Sequence, residues 1–145
     1  MSRIRSANTK PELQVRKLLF ASGFRYRLNL AGLPGKPDLV FPKYHAVVFV
    51  HGCFWHGHRC HLFKVPETNQ RFWLLKIGTN RDHDVCNRRE LRSQGWRVLT
   101  IWECALRGRQ KLNPDAIASL AGDWLRSESA RGTLRGSRRK DSHPR

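Results

Sequence analysis

Between His51 and His61 the chain reads His51-Gly52-Cys53-Phe54-Trp55-His56-Gly57-His58-Arg59-Cys60-His61, which concentrates four of its seven histidines and two of its four cysteines in one short segment. Zinc takes four borderline or soft ligands in a tetrahedron, and thiolate sulfur with imidazole nitrogen is the usual supply. Cys53, His58 and Cys60 offer three such ligands from one loop, and Cys104, just after an apolar run, is the candidate for a distant fourth. Three thiolates and one imidazole with no open position would make a closed, structural site rather than a catalytic one. The competing reading is a pair of ordinary buried cysteines beside a polar loop. Cys-x4-His-x-Cys is not a common finger template, so density more than spacing carries the zinc assignment. Cys86, inside a charged stretch, reads as a free thiol.

A second constellation is built on carboxylates. Asp38 follows a Gly-x-Pro turn at the start of a strand, where a carboxylate can hold a divalent cation at a sheet edge. Such cations activate water and stabilise charge on a phosphate. The strand Ala46-Val47-Val48-Phe49-Val50 ends at His51. If it pairs beside the Asp38 strand, the Val50 carbonyl and the His51 ring lie near that carboxylate. His51 and His56 are then available to position water or act as general base. Each residue also has a plainer reading. An aspartate after proline serves turn chemistry, Glu12 fits a capping box with Thr9, and Asp84 sits among Arg81, Asp82 and His83 on a solvated helix. Phe54, Trp55 and Trp73 are large rings on or near the polar loop. They either wedge between base pairs, which is cheapest at a mismatched step, or form a satellite core around the metal. Trp96 and Trp102, in or beside an apolar strand, read as core.

The elements that must position these groups follow from periodicity and punctuation. A helix starts after Thr9, carries Val15, Leu18 and Leu19 on one face and stops at Gly23. Strands are expected over Phe24–Leu30, Asp38–Phe41, Ala46–Val50 and Arg97–Trp102, the third central in the sheet because it is continuously apolar. Helical segments are expected from about Gln70 through Ile77, again from about Arg81 to Gln94, and from about Asp115 to Leu125. The order α-β-β-β-α-β-α predicts an α/β fold, a mixed central sheet flanked by helices.

Composition narrows the partner. The chain has 145 residues with 28 Lys and Arg against 11 Asp and Glu, a net charge of +17 and a pI near 11.2. Folding gains nothing from such an excess, but a polyanion does attract it through counterion release. Nucleic acid is the leading candidate, and no amphipathic basic helix suggests a membrane surface. No apolar run reaches the length of a membrane span and no secretory pattern is seen, so a cytoplasmic address is expected. Residues 1–8 read as an exposed basic arm, 1–126 as one domain, and 127–145 as a disordered basic tail. Residue types alone reach a metal-binding, DNA-binding protein with nuclease chemistry open to it.

Several blocks together go further. Pro37-Asp38, His51-Gly-Cys-Phe-Trp-His56, Leu62-Phe-Lys-Val-Pro66, Phe72-Trp73-Leu-x-Lys76-Ile-Gly78 and Trp102-Glu-Cys-Ala-Leu-Arg-Gly108 occur in an order that resembles the very-short-patch mismatch repair endonucleases (Vsr type), over about residues 1–126. The resemblance implies a fold like that of type II restriction endonucleases. It implies a magnesium-dependent endonuclease that nicks one strand of double-stranded DNA 5′ to the thymine of a T:G mismatch, such as arises when 5-methylcytosine deaminates. By the same resemblance Asp38 and the Val50 carbonyl hold Mg2+, and His51, His56, Asp84 and Glu12 complete the catalytic set. Cys53, His58, Cys60 and Cys104 hold structural Zn2+, and Phe54, Trp55 and Trp73 are the DNA wedge. The family's N-terminal arm lies along the minor groove, and here only a short arm is expected. A monomer working with mismatch-repair proteins in the bacterial cytoplasm, at the nucleoid when on DNA, completes the expectation. The alternatives are a restriction-associated nuclease of the same fold without mismatch selectivity, and a non-catalytic zinc-stabilised DNA-binding module.

Overall fold

A computed structural model describes residues 9–28 and 30–137. The basic arm at 1–8 and the last part of the expected tail, 138–145, lie outside the described residues. The first helix, α1, spans Lys10–Ala21. Thr9 caps it in an extended conformation, its hydroxyl accepting the Glu12 N–H at 3.4 Å. Glu12, Val15 and Leu19 fall on one helical face and are all buried. A carboxylate is thereby carried to the inner side of the helix.

Among the described residues four strands form one sheet in the order β1-β2-β3-β4: Leu39–Phe41, Ala46–His51, Arg97–Trp102 and Arg131–Leu134. β1 and β2 are antiparallel, and β3 is parallel to both β2 and β4. Every residue of β2 is buried, as its uninterrupted apolar run requires of a central strand covered on both faces. Side chains alternate between two layers. Leu39, Phe41, Ala46, Val48, Val50, Leu99 and Ile101 pack with Val15 and Leu19 of α1 and with Ile117, Ala121 and Leu125 of α4 (Pro114–Arg126). Val40, Val47, Phe49 and Val98 pack against Leu91 of α2 (Gln70–Ser93) on the other face. His51 follows Val47 and Phe49 in the alternation, so its ring joins the α2 face at the end of β2. The short helix α3, Glu103–Leu106, follows β3 directly and carries Cys104.

Three expectations change. Phe24–Leu30 makes only one bridge, Arg27 with Val40, among its described residues. Phe24 and Tyr26 instead set their rings edge-on against Phe41, which favours packing over strand extension. The two helical segments after Gln70 are one continuous helix, because the residues between them find partners in place: the Thr79 hydroxyl bonds the Leu75 carbonyl and the Asn80 amide bonds the Trp55 carbonyl. The expected disordered tail is corrected at its start, since Arg131–Leu134 is β4, in register with Val98–Ile101. Its apolar content is too low to announce a strand. Backbone pairing and the packing of Leu134 on the core hold it instead, with Gly132 so close to Trp124 that an added Cβ would lie 2.6 Å from the indole. Among the described residues no helix is long and apolar enough to cross a membrane.

Candidate active site

The start of β1, the end of β2 and the first turn of α1 converge on a cleft of about 880 Å³, lined by Glu12, Asp38, Val50, His51, Trp55 and His56 among others. Asp38 stands one residue before β1 and accepts the Val50 N–H at 2.6 Å. In an extended strand the N–H and C=O of one residue point to the same side, so the Val50 carbonyl is directed the same way. Burial pushes the Asp38 carboxyl up to about 8, partly opposed by the Val50 N–H and reinforced by contact with the Glu12 carboxylate. Glu12, 5% exposed, is reached by Arg16 at 3.5 Å. The capping-box geometry at Thr9 therefore coexists with a Glu12 carboxylate turned to Asp38. Two carboxylates in contact in a poorly solvated pocket share an excess of negative charge that either a proton or a cation must relieve.

The opposite wall is imidazole. The rings of His51 and His56 stack with centroids 3.7 Å apart and planes 2° from parallel. Burial, with a further contribution from His56, holds His51 down at about 3, so it is neutral at ordinary pH. Its Nδ1 is buried without a hydrogen-bond partner among the described residues. His56 Nδ1 lies 2.6 Å from Asp84 Oδ2, the carboxylate being supplied by α2. An ionised carboxylate only accepts, so Nδ1 carries the proton and Nε2 is left as the free base. The surface reading of Asp84 is thus replaced: with 15% side-chain exposure it backs a histidine.

Behind this wall the Cys53, Cys60 and Cys104 sulfurs and a His58 nitrogen lie within 4.8 Å of one another. His58 Nδ1 is 3.5 Å from Cys53 Sγ and 3.7 Å from Cys104 Sγ. A tetrahedral zinc with bonds of about 2.3 Å to sulfur and 2.0 Å to nitrogen separates its ligand atoms by roughly 3.5–3.8 Å. Burial, together with Arg135, lowers His58 to about 4, which keeps the imidazole in the neutral form that a metal needs. Gly57, at φ +64°, lets the loop lie on α2, where an added Cβ would stand 2.7 Å from Arg81 and 2.8 Å from Ile77. Cys86 is a free, exposed thiol.

Phe54, Trp55 and Trp73 form a triangle of rings with centroids 5.1, 5.5 and 5.7 Å apart, all half-buried. Phe54 and Trp55 line the cleft, whereas Trp73 reaches it through them. Phe72, edge-on to Trp73, and Leu75, one turn further along α2, are 56% and 68% exposed.

Sequence reasoning missed three supports. Glu103 accepts the Cys53 N–H at 3.1 Å and so ties the loop to α3. The Gly136 N–H donates to Cys104 Sγ at 3.3 Å. Trp102, expected in the core, is half-buried instead: it stacks on His58 at 4.2 Å and meets His51 edge-on at 5.4 Å, joining the two constellations. The Glu103–Cys53 contact spans fifty residues, and no local pattern announces it.

Paired carboxylates facing an aspartate-backed histidine pair, on a chain of net charge +17, describe a hydrolase for a phosphate-bearing polymer. Comparison with known proteins agrees. The family model for the DNA mismatch endonuclease Vsr matches residues 1–62. The DNA mismatch endonuclease Vsr of Escherichia coli K12 is 46% identical over 130 residues, covering 90% of this chain and 83% of that protein. The type II nicking enzyme V.NmeAIP of Neisseria meningitidis serogroup A is 49% identical over 117 residues, 78% of this chain and 84% of its own. The type II nicking enzyme V.XorIIP of Xanthomonas oryzae is 47% identical over 106 residues, 73% and 78% of the two chains. The chain belongs to the Vsr family of DNA mismatch endonucleases.

Proposed function

We propose that this chain is a magnesium-dependent DNA mismatch endonuclease that nicks one strand 5′ to the thymine of a T:G mispair. The observation that carries the reading is the cleft in which the Asp38–Glu12 carboxylates face the His51–His56–Asp84 array. The all-oxygen donor set of Asp38, the Val50 carbonyl and Glu12, with its surplus of negative charge, suits a hard divalent cation. When bound there, magnesium supplies Lewis-acid stabilisation of the phosphate and acidifies water. His56, its Nδ1–H held by Asp84, presents Nε2 to take the proton from the attacking water. Neutral His51, stacked on it, positions that water and adds no competing positive charge.

The remaining residues serve recognition. Cys53, His58, Cys60 and Cys104 hold a structural zinc, and this centre shapes the loop that carries Phe54 and Trp55. Those rings and Trp73 insert at the mispaired step, where unstacking is least expensive. We read the mixed sheet as the architecture of type II restriction endonucleases, with a nuclease body that runs on through β4. The working form is a monomer on double-stranded DNA in the bacterial cytoplasm, at the nucleoid, handing nicked product to mismatch-repair proteins.

The test is a nicking assay on end-labelled duplexes that differ only in T:G against T:A, with and without magnesium. A single magnesium-dependent nick 5′ to the mispaired thymine is expected. Equal cutting of both duplexes would replace this reading with a restriction-associated nuclease. Binding without any cut would replace it with a zinc-stabilised DNA-binding module. Asp38→Ala should abolish nicking and leave duplex binding intact.

A further inference from the structure

On the α2 face of the sheet, where Leu91 of α2 packs on Val98 of β3, a groove runs between α2 and β4 away from the back of the His56–Asp84 pair. Three connected cavities trace it. The first, about 230 Å³, holds His56, Asp84 and Arg88. The next two, about 400 and 570 Å³, share Arg88, Val98 and Arg131. The floor is Val98, Thr100 and Thr133, presented on one face by the parallel register of β3 and β4. One wall is Arg88, Arg89 and Arg92, which helical spacing places together within about one turn of α2. Arg131 of β4 closes the other side.

None of these four arginines has a carboxylate partner among the described residues. Asp84, the acid at the upper end, is committed to His56. The remaining acids of α2 are Asp82 and Glu90, both exposed and neither in an ion pair. Arg88 is half-buried there, and its charge is felt by His51. Unpaired guanidinium groups gathered on a hydroxyl-bearing floor repel one another until an anion arrives. The planar guanidinium fork matches phosphate oxygens in bidentate fashion. A strand held in the catalytic cleft lies on the other side of the histidine wall, so more of the same polyanion is present nearby at high effective concentration.

We propose that this groove is a second nucleic-acid site, which holds the phosphodiester backbone of DNA outside the cut site and anchors the enzyme on its duplex. The proposal rests on the reading of the chain as a DNA endonuclease, and it adds a contact that the cleft does not contain. It takes no part in the chemical step.

The experiment uses the full chain with Arg89, Arg92 and Arg131 each replaced by Gln, in an Asp38→Ala background for binding and with the native cleft for nicking. Affinity is measured against salt for a short T:G duplex that spans only the cut site and for a long one extended on both sides. Each phosphate contact contributes about 0.9 to the salt slope, so the long duplex should lose about 2 to 3 from its slope while the short one is unchanged. Single-turnover nicking at saturating enzyme should match the native rate. An unchanged slope on the long duplex overturns the second site and leaves the endonuclease reading intact. An equal loss on both duplexes also overturns it, because the arginines would then serve the cut site. Failure of the unsubstituted groove to bind either duplex would overturn the site and the endonuclease reading together.

Discussion

Replacing Asp84 with Asn separates a catalytic role for the His56–Asp84 pair from a structural one. The side chains are nearly the same size, and the pair is half-buried, with His56 25% and Asp84 15% exposed. Packing on α2 should therefore survive. What changes is charge and donor pattern. The 2.6 Å contact joins a carboxylate to the imidazole that, as the proposed base, would become positive on taking the water proton. A hydrogen bond to a charged group contributes about 1.5–3 kcal/mol in such a setting. At about 1.36 kcal/mol per factor of ten, losing 2–3 kcal/mol slows the chemical step roughly 30- to 150-fold. Asn can also turn its amide nitrogen toward Nδ1, which moves the imidazole proton to Nε2 and removes the free base. With the wrong tautomer, losses approach about 10⁴-fold in the serine-protease precedent.

The assay is single-turnover nicking of a T:G duplex at saturating enzyme, with duplex affinity and the thermal midpoint measured beside it. The expected result is a rate 30-fold or more below native, with affinity and midpoint little changed. A rate within about threefold of native would refute the assignment of His56 as the base. A fall in rate that merely follows a fall in midpoint would refute it too, since it would make Asp84 a packing residue.

Three further outcomes follow from the geometry. Asp38 sits at about 8 against an ordinary value of 3.8, so its protonated form favours the fold below about 4 and that support is lost as pH rises through about 8. The thermal midpoint of magnesium-free protein should fall across that window and fall less in Asp38→Asn, which a pH series of melting curves will check. Gly136→Ala drives a Cβ to 2.6 Å from the Cys104 carbonyl and 2.8 Å from that of Gln110, so a chromophoric chelator should strip the proposed zinc faster from this variant. Trp73→Ala removes one ring of the aromatic triangle; at about 1–3 kcal/mol per stacked base, competition binding should show roughly a 5- to 150-fold loss of preference for T:G over T:A duplex.

What the sequence made legible is what local spacing controls. The capping residues of α1, the apolar run of β2 and the density of metal-ligand types between His51 and His61 each report on neighbours a few positions away. Asp38 and His51 could be brought together by supposing that two strands pair, and the β1–β2 register does pair them. Asp84 and Glu12 were another matter. Their partners, His56 and Asp38, lie 28 and 26 positions distant, and a charged residue on a charged helix looks the same whether it faces water or a histidine. Only family resemblance raised them above surface and cap. Glu103, Gly136 and the bridging face of Trp102 had no such help, because their contacts depend on how α3 and β4 meet the loop.

The misread tail shows why composition alone fails at a sheet edge. Burial predicts a strand when apolar residues alternate, and Arg131–Leu134 offers mostly charge and small residues. Its stability comes instead from an edge already built: β3 presents unpaired backbone groups, which a fourth strand must satisfy. Once paired, the strand directs Arg135 to the Arg59 carbonyl, Gly136 to the Cys104 sulfur and Ser137 to the Gln110 carbonyl. The same few residues therefore finish the sheet, close the cysteine–histidine cluster and form one wall of the arginine groove. A change that breaks the β3–β4 pairing should disturb metal retention and long-duplex affinity together, whereas Arg131→Gln, which alters only an exposed side chain, should weaken the long duplex alone.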